Sequence, residues 1–171
     1  MAFSILSTIL ALVAPDHHIS CAKQVWHRGI LELKYRGMGY RESGAFLLGL
    51  QSAGVRRIVR FAYYNDLDPH CLDDGYVNFD GRAYGKLWDI CRQMGLSVVA
   101  DVHTHPGIAR QSWIDQQNPM IAQVGHAAIL VPNYARQPEL TDKLGVYEYL
   151  GDYQWKEYYG LSATRYFYLG L

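Results

Sequence analysis

The run Leu96-Ser-Val-Val-Ala-Asp-Val102, followed at once by His103-Thr-His105-Pro106-Gly107, constrains this chain more than any other segment. The apolar, β-branched stretch reads as a strand. Side chains at i and i+2 leave a strand on one face, so His103 and His105 can point at one metal ion if the extended backbone continues to His105. Pro106 cannot donate to a sheet ladder and Gly107 permits a sharp turn, so the chain bends there. Ser112 or Asp115 can then start a helix, and Asp115 can swing back to the same point in space. Two imidazoles and one carboxylate form a catalytic zinc set with an open fourth position for water. His-x-His is also a common hydrogen-bonding pair at strand ends, and these residues alone leave that alternative open.

Support comes from upstream. Arg41-Glu42-Ser-Gly-Ala-Phe-Leu-Leu-Gly49 places a carboxylate at the start of an apolar, glycine-bounded run. Hydrolysis by zinc needs a base that takes a proton from water and later returns it to the leaving group. Glu42 fits that need; a Glu at a strand start is otherwise a solvated surface residue.

Together the two segments resemble the JAMM (MPN-plus, JAB) metalloprotease family. Its pattern is a distant Glu beside a Gly-rich apolar strand, then His-Ser/Thr-His-Pro, then Ser-x-x-Asp. Here those positions are Glu42, His103-Thr104-His105-Pro106 and Ser112-Trp113-Ile114-Asp115. The resemblance implies that His103, His105 and Asp115 ligate Zn2+. It also implies that Glu42 is the general acid/base and that Ser112 helps hold the oxyanion. It implies an α/β fold: an MPN-type mixed β-sheet flanked by helices, a cytidine-deaminase-like sandwich filling residues 1–171 as one domain. The expected substrate is the C-terminal tail of a ubiquitin-like protein or its conjugate. The expected setting is that of bacterial stand-alone members, including those of antiphage systems. Nine residues separate His105 from Asp115, one fewer than in the common eukaryotic pattern, and Trp113 stands where a small residue is usual.

Two other functions compete. A catalytically silent scaffold of the same fold would mediate protein–protein contacts; such members typically lose ligands, and all four key residues are present here. A hydrolase of small-molecule amides, or a sulfur-carrier processing enzyme, would share the site but differ in its groove.

Composition agrees with a folded domain. Half of the 171 residues are apolar and 19% are charged, which is not the profile of a disordered chain. Sixteen basic residues balance sixteen acidic ones, so the basic excess of a nucleic-acid binder is absent. Fourteen tyrosines, many of them C-terminal, suit either strand-face packing or a protein-binding surface. Cys21, Cys71 and Cys91 are odd in number and lack a Cys-x-x-Cys, which suits free thiols in a reducing cytoplasm. Cys71 beside His70 reads only weakly as a nucleophile and its base, since chain neighbours rarely present both groups to one substrate. The apolar segment Met1–Ala14 has no basic residue ahead of it and is too short to span a bilayer. It is expected to be a strand, with a cleaved signal as the alternative, and no membrane association is expected.

The remaining pattern predicts a helix over 17–35 with Asp16 as N-cap, ended by Gly37 and Gly39. Strands are expected at 45–50 and 55–63 as a hairpin, then a polar loop over 65–74. A second helix is expected over 79–94 with Gly95 as its C-cap. A short helix over 115–124, a strand over 126–131 and a hairpin of 146–150 with 154–159 complete the expectation. His126 is expected to be a hydrogen-bonded core or edge residue. Asp101, on the face of His103, can either orient a ligand imidazole or bond a neighbouring loop.

Overall fold

The computed structural model describes residues 16–170 except 53 and 138–140. The segment 1–14, expected to be a strand, lies outside the described residues. Eight strands form one mixed sheet: β1 (Ile19–Ala22), β2 (Gly44–Ser52), β3 (Val55–Tyr63), β4 (Ser97–Thr104), β5 (Ala127–Val131), β6 (Gly145–Gly151), β7 (Gln154–Tyr158) and β8 (Phe167–Gly170). Their spatial order is β7-β6-β5-β4-β2-β3-β1-β8. The helices are α1 (Lys23–Arg36), α2 (Tyr64–Leu67), α3 (Tyr84–Met94), α4 (Trp113–Gln117) and α5 (Leu161–Tyr166). The α/β expectation and both hairpins hold: β2 pairs β3, and β6 pairs β7, antiparallel. At the centre β4 runs antiparallel to β2 and parallel to β5.

A single extra residue in β4 sets which way the site points. Leu47 faces Ala100 and Leu48 faces Val98, so Val99 bulges out of register. Val99 and Ala100 both enter the core on the α1 side, while Val98 packs on the α3 side. An inserted residue reverses the parity of everything after it. Val102 therefore faces the α1 core, and Asp101 and His103 turn to the opposite face.

The two faces differ. On one, Trp26, Ile30 and Leu33 of α1 and Tyr166 of α5 cover a continuous apolar core. On the other, two smaller cores lie side by side. One gathers Phe46, Leu48, Tyr64, Leu67 and Leu87 beneath α2 and α3. The other gathers Ala109, Ala128, Leu130 and Tyr147, with Trp155 against it. The His103 side chain lies at their junction.

Four expectations need correction. The chain from Ile19 to Ala22 is a strand, and α1 starts only at Lys23, so Asp16 caps nothing there. Ile19 and Cys21 alternate into the sheet beside β3, and that long-range pairing overrides the helical spacing. The loop expected over 65–74 begins with the helical turn α2. The second helix starts at Tyr84, because Asp80 caps a separate 3₁₀ turn, accepting from the Arg82 N–H at 2.8 Å. The helix expected over 115–124 is α4, which ends at Gln117 just before Asn118-Pro119. Gly95 does close α3, at φ 63°. Helix α5 and strand β8 carried no sequence expectation.

Candidate metal centre

His103, His105 and Asp115 converge: one ligand atom from each lies within 4.8 Å of the others. His103 is in β4. His105 is just past it, yet its N–H still donates to the Val131 carbonyl at 2.9 Å, so the extended backbone does reach the second imidazole. The two Nε2 atoms are 3.0 Å apart. Asp115 Oδ1 is 3.4 Å from His103 Nε2, and Oδ2 is 3.2 Å from His105 Nε2. The edges of a zinc tetrahedron with bonds of about 2.0 Å measure about 3.3 Å, so the three donors fit that ion.

The Ser-x-x-Asp spacing has a local cause. Ser112 is the N-cap of α4 and Asp115 its third residue. The Ser112 hydroxyl accepts from the Asp115 N–H at 3.1 Å, and Asp115 Oδ2 accepts from the Ser112 N–H at 2.6 Å. This reciprocal capping box orients the carboxylate towards the imidazoles. The Ser112 hydroxyl acts only as acceptor in the cap, so its proton is still available for donation.

Charge follows the same geometry. Burial pulls the His103 imidazole down, but the hydrogen bond and charge of Asp115, with Asp101 and Glu42 behind it, lift it above its ordinary value. Burial raises the Asp115 carboxyl, yet its bonds to His103, His105 and Ser112 hold it far below the usual carboxylate range. Two facing imidazoles and a carboxylate this close form a natural seat for a cation.

Glu42 is tied beside this group. Its N–H donates to the Gly75 carbonyl at 3.0 Å, and its Oε2 accepts from the Val77 N–H at 3.3 Å. The neighbouring Ser43 and Thr104 lock the two motifs together. Ser43 N–H donates to the Thr104 hydroxyl at 3.0 Å, and Thr104 N–H donates to the Ser43 carbonyl at 2.9 Å. Gly44 lies opposite His103, where a Cβ would strike the Tyr64 ring and come 2.8 Å from the Val102 carbonyl. Only glycine lets the Glu42 segment approach β4 this closely.

Residues not singled out in the sequence hold the loop between His105 and Ser112. Tyr147, fully buried, donates from its hydroxyl to the Ala109 carbonyl at 3.0 Å and accepts from the Gln111 N–H at 3.1 Å. On the other side, Asn133, Tyr134 and Ala135 all adopt φ near +53°, a conformation disfavoured for Tyr and Ala. That turn brings the Asn133 and Tyr134 N–H groups to the Gly107 and His105 carbonyls. Asp101 pairs with His126 Nε2 at 2.7 Å and accepts from the Tyr64 hydroxyl at 3.4 Å. His126 is thus the buried, hydrogen-bonded residue expected of it.

The cysteine alternative fails on geometry and charge. Cys71 is buried and burial pushes its thiol up to about 12, while His70 is exposed and bonded to Asp73. Cys21 and Cys91 are likewise buried free thiols. Among the described residues no helix is long and apolar enough to cross a membrane.

No protein-family profile matches the chain. Over 71 residues, 42% of its length, it is 31% identical to the "Probable metalloprotease y4jG" of Sinorhizobium fredii (strain NBRC 101917 / NGR234), and the match spans 44% of that protein. The chain therefore spans under half the length of this curated relative. Two solution structures are similar in fold. Protein DSY2949 from Desulfitobacterium hafniense is 15% identical, with a TM-score of 0.62, over 90% of this chain and 94% of that one. A protein from Salinibacter ruber (strain DSM 13855) is 21% identical, with a TM-score of 0.50, over 80% and 86%. At such identities the likeness is one of fold. The sequence relative carries the name of a probable metalloprotease, and His103, His105 and Asp115 of this chain form a donor set that could hold a metal ion.

Proposed function

We propose that this chain is a zinc-dependent peptidase of the JAMM type, with an MPN-like fold, acting on the C-terminal tail of a ubiquitin-like protein or its conjugate. The observation that carries it is the convergence of His103, His105 and Asp115 with Glu42 held beside them. Bound zinc would supply a Lewis acid for the scissile carbonyl and acidify the attacking water. Glu42 accepts the water proton and passes it to the leaving amine. Ser112, exposed at the mouth of the site, donates its hydroxyl proton to the developing oxyanion while its acceptor side holds Asp115 in place. The buried junction of the two small cores keeps the His pair dry and strengthens these interactions. A silent scaffold would have no use for an intact ligand set with a tethered carboxylate. A reducing cytoplasm goes with this function, since all three thiols are free.

The test is cleavage of ubiquitin-like proteins bearing a C-terminal extension, by zinc-loaded wild type and Glu42→Gln. Cutting by the wild type alone, with equal zinc in both, is expected. Full activity in Glu42→Gln would remove the acid/base assignment. Cleavage of unrelated peptides only would remove the ubiquitin-like tail.

A further inference from the structure

A half-open pocket adjoins the metal donors and shares His103 and Asp115 with them. Its walls are apolar and come from separate parts of the chain: Val77, whose N–H holds Glu42, Ile114 of α4, Met120 just beyond that helix and Trp155 of β7. The buried Ala128 and Tyr64 complete the lining. Ile114 is 59% exposed, and its α4 neighbour Trp113 is 73% exposed, although both are large and apolar. Sites that take a ligand pair such apolar walls with a few placed polar groups, here the metal donors.

The other polar groups of the pocket are already engaged. Asp101 is held by His126 and Tyr64. Asn118 Nδ2 donates to the Ile114 carbonyl at 2.9 Å, and the Trp155 indole N–H donates to the Gln116 carbonyl at 3.1 Å. The Gln111 carboxamide oxygen is buried and offers nothing to an incoming group. His103 and Asp115 face each other across the metal seat. A polar side chain entering the pocket would trade water for apolar walls and spent partners, at a cost; an apolar one leaves water at a gain. Because two of the three metal donors line the pocket, whatever enters it sits next to the bond being cut.

We propose that this pocket is a substrate subsite for an apolar side chain, carried by a residue flanking the scissile bond and selected by Ile114, Met120, Val77 and Trp155. This deepens the peptidase function proposed above and rests on it.

Two probes of nearly one shape test the subsite without catalysis: N-acetyl-leucinamide and N-acetyl-asparaginamide. Titrated into the zinc-loaded, isotope-labelled full chain, the leucine probe should shift the Trp155 indole and Met120 methyl signals at about tenfold lower concentration than the asparagine probe. Ile114→Ser should remove most of that preference, read at Trp155, and keep its zinc; the exposed position keeps folding out of the question. Met120→Gln, close to methionine in shape, should act in the same direction. An equal response to both probes, no response, or a preference unchanged in both variants overturns the subsite. In parallel, wild type should cut a peptide mixture with about tenfold enrichment of aliphatic residues at one flanking position, reduced in Ile114→Ser. Cleavage without that enrichment also overturns it. Discrimination of the probes with no peptide cut would retain the pocket's selectivity and sink the peptidase function.

Discussion

The two faces of the sheet make opposite uses of one strand. Beneath α1 the residues Val99, Ala100 and Val102 of β4 join one unbroken apolar core. On the other face Asp101 and His103, from the same few residues, stand between two separate cores. Burial on the first face needs only apolar volume. The second face leaves a polar junction that must be filled by named partners: Tyr64 and His126 for Asp101, and His105 and Asp115 for His103. The bulge at Val99 decides which residues go where. Stability and chemistry are thus divided between faces, and substitutions should divide the same way.

The sharpest break is expected at Glu42. Glu42→Gln should lower kcat by about 10²–10⁴-fold while zinc content and thermal stability stay put; loss of metal instead would make Glu42 a ligand. On the opposite face, Ile30→Ala removes a buried side chain from the continuous core. It should cost about 2–5 kcal/mol in denaturant unfolding and leave zinc stoichiometry unchanged. Tyr147→Phe tests whether the loop belongs to the chemical face. Losing the hydroxyl strands the Ala109 carbonyl and the Gln111 N–H, at about 1–3 kcal/mol, and should weaken zinc binding in a competitive chelator titration. An Ile30-like result, stability lost with metal affinity intact, would move Tyr147 to the structural side. Ser112→Ala should be mildest on stability, about 1 kcal/mol for the cap, with a few-fold loss of zinc affinity as Asp115 loosens.

What could be read from the sequence follows the range of the forces involved. The hairpin of β2 and β3 and that of β6 and β7 announce themselves by apolar runs and local turn residues. The His103, His105 and Asp115 group was legible because strand parity and an N-cap spacing of three residues are both local rules. Strand β1 was hidden: its four residues fit a helical period as well as an alternating one, and its partners are Arg56 to Ile58, far along the chain. Thr104 stands in the motif as the residue between the two histidines, and only the structure shows that it clamps Ser43 across 61 positions. Tyr147 and Gln111 gain their roles only from contact with each other. The bulge at Val99 leaves no mark in the sequence, although it aims the site.

The central claim is a metal centre built by His103, His105 and Asp115. Zinc per chain, by elemental analysis of protein purified without added metal, should be about one for wild type and near zero for a folded Asp115→Ala. A well-folded wild type that holds no zinc even after loading, or an Asp115→Ala variant that holds as much as wild type, would contradict it.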